Sequence, residues 1–257
     1  MITGASRGIG RATVVALAPS FDRITLVGRS RQRHAPVLGQ VPHASHVECD
    51  LSSLASVANA VTAIDGDADV VIANAGVAGV RGVTADGFEI HFGVNHLAHH
   101  LLVTNLSARI RDRVIVVSSE AQRDASGVDY ERVRGRTRSL TGFEEYRQSK
   151  LANVWFGRRL AARSGVPGHV VHPGMTATDI WNRVPQPFRA LMTRRMIPPE
   201  QGAATSVWAA TAPGLAPGGY FARSMPRDPG AVATDDDAAT ELWERSDTWV
   251  SEFRERT

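Results

Sequence analysis

Short β-branched runs that are apolar on both faces recur along the chain, each separated from the next by a stretch with helical periodicity. Arg23–Val27, His46–Cys49, Asp69–Ala73, Arg113–Val117 and His169–His172 read as strands. A strand without a polar face must be covered on both sides, which is the situation of parallel strands with helices packed above and below. The intervening helical stretches are Arg11–Leu17, Ser52–Ile64, Gly87–Arg109 and Glu144–Arg163, and Asp50-Leu51-Ser52-Ser53 reads as a loop and N-cap. A further helix is predicted over Pro199–Ala212, a short strand at Gly219–Phe221 and a last helix within Ala238–Arg254. The alternation predicts an α/β fold, a doubly wound parallel sheet with helices on both faces. With 257 residues and 43% hydrophobic composition, the expectation is one domain over residues 1–257, with no internal repeat or linker.

Several function classes fall away on composition. No run of about 18 apolar residues exists and no basic-then-apolar leader opens the chain, so the sequence predicts a cytoplasmic protein without a membrane span. The formal charge is only +3, from 29 basic and 26 acidic side chains, and the arginines are scattered rather than grouped with aromatics. A nucleic-acid partner is therefore not expected. Cys49 is the only cysteine, too few for a disulfide or a thiolate metal site, and reads as core filler. His96, His99 and His100 share a helical face, yet no acidic second shell accompanies them; they read as core or surface histidines, and no metal is expected.

Thr3-Gly4-Ala5-Ser6-Arg7-Gly8-Ile9-Gly10 opens the first helix. Glycines there let the backbone approach a pyrophosphate, and the helix N-terminus offers it free N–H groups. An acidic residue about 20 positions on would mark NAD through the ribose diol. None is present. Leu26-Val27-Gly28-Arg29-Ser30-Arg31-Gln32-Arg33 stands there instead, and a guanidinium, with Arg7 in support, suits a 2′-phosphate, so the cofactor predicted is NADP(H), with Arg29 and Ser30 at its site.

Tyr146 and Lys150 lie at i and i+4 on one helix face, where an ammonium is expected to stabilise the phenolate and lower the tyrosine pKa. Lys150 is the only lysine in a chain that uses arginine at every other basic position. Ser118 and Ser119 follow a strand, where a hydroxyl can donate to a developing oxyanion. Asn74-Ala75-Gly76 ends another strand and Asn95 sits in a long helix; singly, each is an ordinary cap or turn residue. The segments Ala121–Phe143 and Met175–Ile197 break the rhythm. As long loops, they are read as part packing and part substrate pocket.

In this order, the glycine turn, Asp50-Leu51, Asn74-Ala75-Gly76, Asn95, the paired serines, Tyr146 with Lys150 and Pro173-Gly174 resemble the short-chain dehydrogenase/reductase family. Thr84–Glu89, Gly93–Leu97, Ser149–Asn153 and Glu200–Ser206 resemble its retinol dehydrogenase and WW-domain oxidoreductase branch. The resemblance implies a Rossmann fold and hydride transfer between a nicotinamide and a lipophilic alcohol or carbonyl substrate. It implies catalytic roles for Ser119, Tyr146, Lys150 and Asn95, the last organising a water or Lys150. It places Gly4, Ser6, Arg7, Gly8, Ile9, Gly10, Asp50, Leu51, Asn74, Ala75, Gly76, Tyr146 and Lys150 around the cofactor, with Pro173, Gly174 and Thr178 beside the nicotinamide. A non-catalytic nucleotide-sensing module is the alternative, and it would not need Ser119, Tyr146 and Lys150 together. The substrate's identity and the oligomeric state stay open, a homo-oligomer included. Only Met1 and Ile2 precede the glycine turn, where a full central strand is expected; the sequence therefore predicts a natural polypeptide that begins upstream of Met1.

Overall fold

The computed structural model describes residues 1–174 and 197–254. Its strands are β1 (Ile2–Thr3), β2 (Ile24–Gly28), β3 (Ala44–Glu48), β4 (Ala68–Ala73), β5 (Ile110–Val117), β6 (Gly168–His172), β7 (Tyr220–Ala222) and β8 (Met225–Pro226). They form one sheet in the order β3-β2-β1-β4-β5-β6-β7-β8, parallel throughout except for the antiparallel β7–β8 pair. The order reverses at β1, between β2 and β4, and a crevice opens at the strand C-termini of such a switch point.

The helices are α1 (Gly8–Leu17), α2 (Arg31–Gln40), α3 (Leu54–Ala63), α4 (Ile90–Phe92), α5 (Ala98–Leu106), α6 (Phe143–Ser164), α7 (Pro199–Thr211) and α8 (Asp236–Val250). A π-turn at Gly93–Leu97 joins α4 to α5. Alternation along the strands divides the core in two. Val114 and Val116 of β5 face the layer built on α3, α5, α6 and α8, whereas Ile115 and Val117 face that of α1, α2 and α7. Parallel strands clothed on both sides account for the continuous apolar runs of the sequence.

β1 is two residues long and nonetheless central. Ile2, 2% exposed, pairs with Leu26 and Ile72, and Met1 extends the ladder through its nitrogen to the Val70 carbonyl (2.9 Å) and its carbonyl to the Ile72 N–H (2.9 Å). The buried histidines read from the sequence are each engaged. His96 meets Ser246 Oγ at 2.9 Å, His100 meets Asp247 Oδ1 at 2.7 Å, and His99 bridges Asn95 O and Thr3 Oγ1. Cys49 is buried core, its thiol pushed up to about 12 by burial.

Three elements differ from the sequence reading. Helix α2 occupies a segment to which the sequence reading assigns no element, because its buried face is reduced to His34 and Val37 and Pro36 lies inside it; the Ser30 hydroxyl caps it by accepting from Arg33 N–H. Strand β8 adds a two-residue hairpin whose turn places Arg223 and Ser224 at φ 53° and 57°, without the glycine or asparagine that announces such turns. The helix expected from Gly87 starts at Ile90, since Glu89 turns its carboxylate onto the His91 and Phe92 N–H groups as a cap.

Candidate active site

The C-terminal end of each central strand delivers one piece of a cleft of about 670 Å³. After β1 the chain makes the glycine turn, with Gly4 at φ +70° and Gly8 at φ +55°. A Cβ on Gly4 would lie 2.8 Å from the Ala75 Cα, and one on Gly10 only 2.3 Å from the Gly4 carbonyl, so both positions exclude side chains by contact. Arg7 at the N-cap provides no side-chain cap to α1, leaving the helix N–H groups directed at the cleft. These features fit a pyrophosphate: a backbone cradle that any Cβ would fill, at the positive end of a ten-residue helix.

Asn74 holds this turn from behind. Its Nδ2 donates to the Thr3 carbonyl (2.8 Å), while Asn74 N–H and Ala75 N–H donate to Thr3 Oγ1 (3.0 and 2.9 Å). His99 meets the same hydroxyl from α5 at 2.9 Å. Asn74, Ala75 and Gly76 line the cleft as expected, and His99 is a support that sequence reading did not find.

Beyond β2, Gly28, Arg29, Ser30, Arg33 and His34 line the far end of the cleft, joined by Asp50 and Leu51 after β3. Asp50 is held by Ser52, whose N–H and hydroxyl donate to Oδ1 at 3.0 and 2.8 Å. No carboxylate follows β2, and Arg29 is exposed at its end. Arg33 belongs to the arginine run read from the sequence, whereas His34 was not anticipated, because it lies on a helix that the sequence concealed.

At the other end the paired serines separate. Ser118 Oγ donates to the Lys150 carbonyl (2.7 Å) and is buried, a structural bond between β5 and α6. Ser119 opens onto the cleft and hydrogen-bonds the Tyr146 hydroxyl. The Lys150 ammonium donates to the Val117 carbonyl (3.0 Å) and lies 5.8 Å from the Tyr146 ring centre. The electrostatics correct the sequence expectation. Burial raises the Tyr146 pKa, only partly offset by the Ser119 hydrogen bond, and burial lowers Lys150 to about 8. Desolvation, which penalises the charged form of each, is the largest influence on both groups.

Asn95 lies between the loop after β4 and helix α6. Its side chain accepts from Val77 N–H (2.7 Å), and its Nδ2 donates to the Val77 carbonyl (3.0 Å) and to Ser149 Oγ (2.9 Å). It thus ties the loop after β4 to α6 through Ser149, the neighbour of Lys150. Gly76 leaves the room, since a Cβ there would sit 3.1 Å from Asn95 Oδ1 and 3.5 Å from Lys150 Nζ. Pro173 and Gly174 close the cleft after β6, with Gly174 at φ +83°. Thr178 and the loop read at Met175–Ile197 fall, but for Ile197, outside the described residues. Among the described residues no group of three metal-ligating side chains gathers, and no helix is long and apolar enough to cross a membrane.

A family model described as short chain dehydrogenase matches residues 1–187. The chain belongs to that family. It is similar to Dehydrogenase/reductase SDR family member 13 of Bos taurus, at 34% identity over 96% of this chain and 71% of the relative. Retinol dehydrogenase 14 of Homo sapiens is 31% identical over 97% of this chain and 85% of its own length. Among solved structures, an uncharacterized protein from Mycobacterium Paratuberculosis superposes with a TM-score of 0.82 at 31% identity, covering 97% and 92% of the two chains. A blue fluorescent protein from a metagenomic library, solved in complex with NADPH, gives a TM-score of 0.67 at 25% identity, covering 86% and 93%. This short-chain dehydrogenase is therefore a Rossmann-fold oxidoreductase of the kind that acts on CH–OH and C=O groups with a nicotinamide cofactor.

Proposed function

We propose that the chain moves a hydride between NADP(H) and a lipophilic alcohol or carbonyl compound, with Tyr146 as the proton carrier. One observation carries this reading: a single cleft runs from Arg29 and the glycine turn to the hydrogen-bonded Ser119 and Tyr146. Gly4, Ser6, Arg7, Gly8, Ile9 and Gly10 would hold the pyrophosphate, Arg29 and Ser30 the 2′-phosphate, and Asp50, Leu51 and Asn74 to Gly76 the adenosine side. Lys150 would hold the second ribose, and Pro173 and Gly174 the nicotinamide, which supplies or accepts the hydride when bound.

The protein's own task is to manage the oxygen of the reacting group. Burial keeps the Tyr146 phenol protonated near neutrality, the form needed to give a proton to a carbonyl oxygen as it becomes an alcohol. Ser119 faces the same point and polarises the carbonyl by hydrogen bonding. Lys150, with its pKa lowered to about 8, is still an ammonium near neutrality and balances the negative charge of the phenolate left when the proton moves to the substrate oxygen. Asn95 keeps α6 in register with the β4 loop, acting on Lys150 through Ser149 and the backbone.

Support for an apolar substrate comes from Val77, Ile90, Val94, Val117, Ala121 and Phe143 in the cleft wall. The deciding experiment offers the purified protein NADPH with aldehydes and ketones of increasing apolar size. Catalytic efficiency should rise as the apolar part lengthens. Turnover confined to small polar carbonyls, or no NADPH oxidation with any of them, would contradict the reading.

A further inference from the structure

His34 stands where the end of β2 meets the cleft. It is 2% exposed, lies one turn into α2, and its Nδ1 is 2.8 Å from the Nδ1 of His46 on β3, the two rings meeting edge to face. Its other edge abuts Gly28, the last residue of β2: a Cβ at that position would lie 2.9 Å from His34 Cε1 and 3.2 Å from Nε2. The imidazole therefore fills the space that a side chain at residue 28 would need. A carboxylate binding a ribose diol arises from this strand end in sites that take NAD.

The histidine pair also determines what His34 offers the cleft. Only one of the facing Nδ1 atoms can carry a hydrogen, and His46 Nε2 is buried with no hydrogen-bond partner. An orphaned buried N–H is rarer than an orphaned acceptor, so the hydrogen belongs on His46 Nδ1, which donates to His34. His34 then bears its hydrogen on Nε2, on the edge beside Gly28. Burial, and secondarily His46, lower its pKa to about 4, so it is a neutral donor at working pH.

We propose that His34 is a specificity-determining residue for the cofactor, excluding an acidic ribose ligand at residue 28 by volume and presenting an Nε2–H donor to the 2′-phosphate beside Arg29 and Arg33. It rests on the NADP(H) reading and adds a group to it. His46 is the positioning residue that fixes the imidazole's orientation.

The test measures dissociation constants for NADPH and NADH by titration of the full chain. The substitution His34→Asn keeps a polar atom where Nδ1 meets His46 and removes the edge facing Gly28. It should weaken NADPH about tenfold, the scale of one hydrogen bond to a charged group, and leave NADH within about twofold. Equal loss for both cofactors would overturn the proposal. A second arm is independent of the NADP(H) reading. Gly28→Asp should impair NADH binding in the parent and improve it in the His34→Asn background, because the carboxylate then has room. An equal effect of Gly28→Asp in both backgrounds, with thermal melts showing both folded, would overturn the steric part. Equal affinity of the parent for the two cofactors would instead count against the NADP(H) reading itself, while the second arm still judges the pairing of Gly28 with His34.

Discussion

Lys150 and Tyr146 sit four residues apart on α6, the spacing visible in the sequence, yet their charges follow from depth. Both side chains lose water, so the lysine pKa falls to about 8 and that of the tyrosine rises. Sequence spacing reports proximity and says nothing of desolvation, which is why the sign of the tyrosine shift was not legible. Of the paired serines, Ser119, the one that the family resemblance singles out, faces the cleft, and Ser118 is absorbed by the Lys150 carbonyl. At this scale the proposed preference for NADP(H) rests on Arg29. Removal of its guanidinium by Arg29→Ala should weaken NADPH about tenfold and leave NADH nearly unchanged, measured as two dissociation constants. Parallel losses would show that Arg29 does not read the phosphate.

The glycine turn works only because two other elements hold it. Thr3 Oγ1 accepts from two N–H groups after β4 and meets His99 of α5, while Asn74 Nδ2 donates to the Thr3 carbonyl. Asn74→Ala leaves the Thr3 carbonyl without that donor and opens space behind Gly10. The variant should lose about 1–3 kcal/mol of stability by denaturant titration, and its NADPH binding should weaken as well. Lost stability with unchanged cofactor affinity would mean that the turn keeps its shape unaided. Legibility differed by element. Strands β2 to β6 were visible within a few residues because burial on both faces leaves an apolar run. Helix α2 was not, since it rests on the core through little more than His34, Val37 and the half-buried Leu38, and with it went His34 of the site. The clamp of His99 on Thr3 joins residues 96 positions apart and leaves no local pattern.

Across the molecule, buried histidines set the response to acid. Burial lowers His34 and His99 to about 4 and depresses His96 and His100 as well. Because the folded-state values lie below the ordinary 6.5, the unfolded chain binds protons between these limits that the folded chain refuses. Stability is thus fully present above pH 6.5 and lost as pH falls towards 4. Glu145 and Asp247, both held below their ordinary values by hydrogen bonds, add loss of the same sign at the acid end. Melting temperatures followed by circular dichroism should fall steeply between pH 6.5 and 4 and stay nearly level from 6.5 to 7.5; a flat profile through the acid range would mean that these imidazoles are solvated in the folded state. The proposed reaction turns on one proton at Tyr146, so the most direct measurement compares NADPH binding and NADPH-dependent carbonyl reduction in the parent and in Tyr146→Phe. The variant should bind NADPH within about twofold of the parent and lose on the order of 10²–10⁴ in turnover, the usual share of a general acid. Turnover near that of the parent on any accepted substrate would contradict the role assigned to Tyr146.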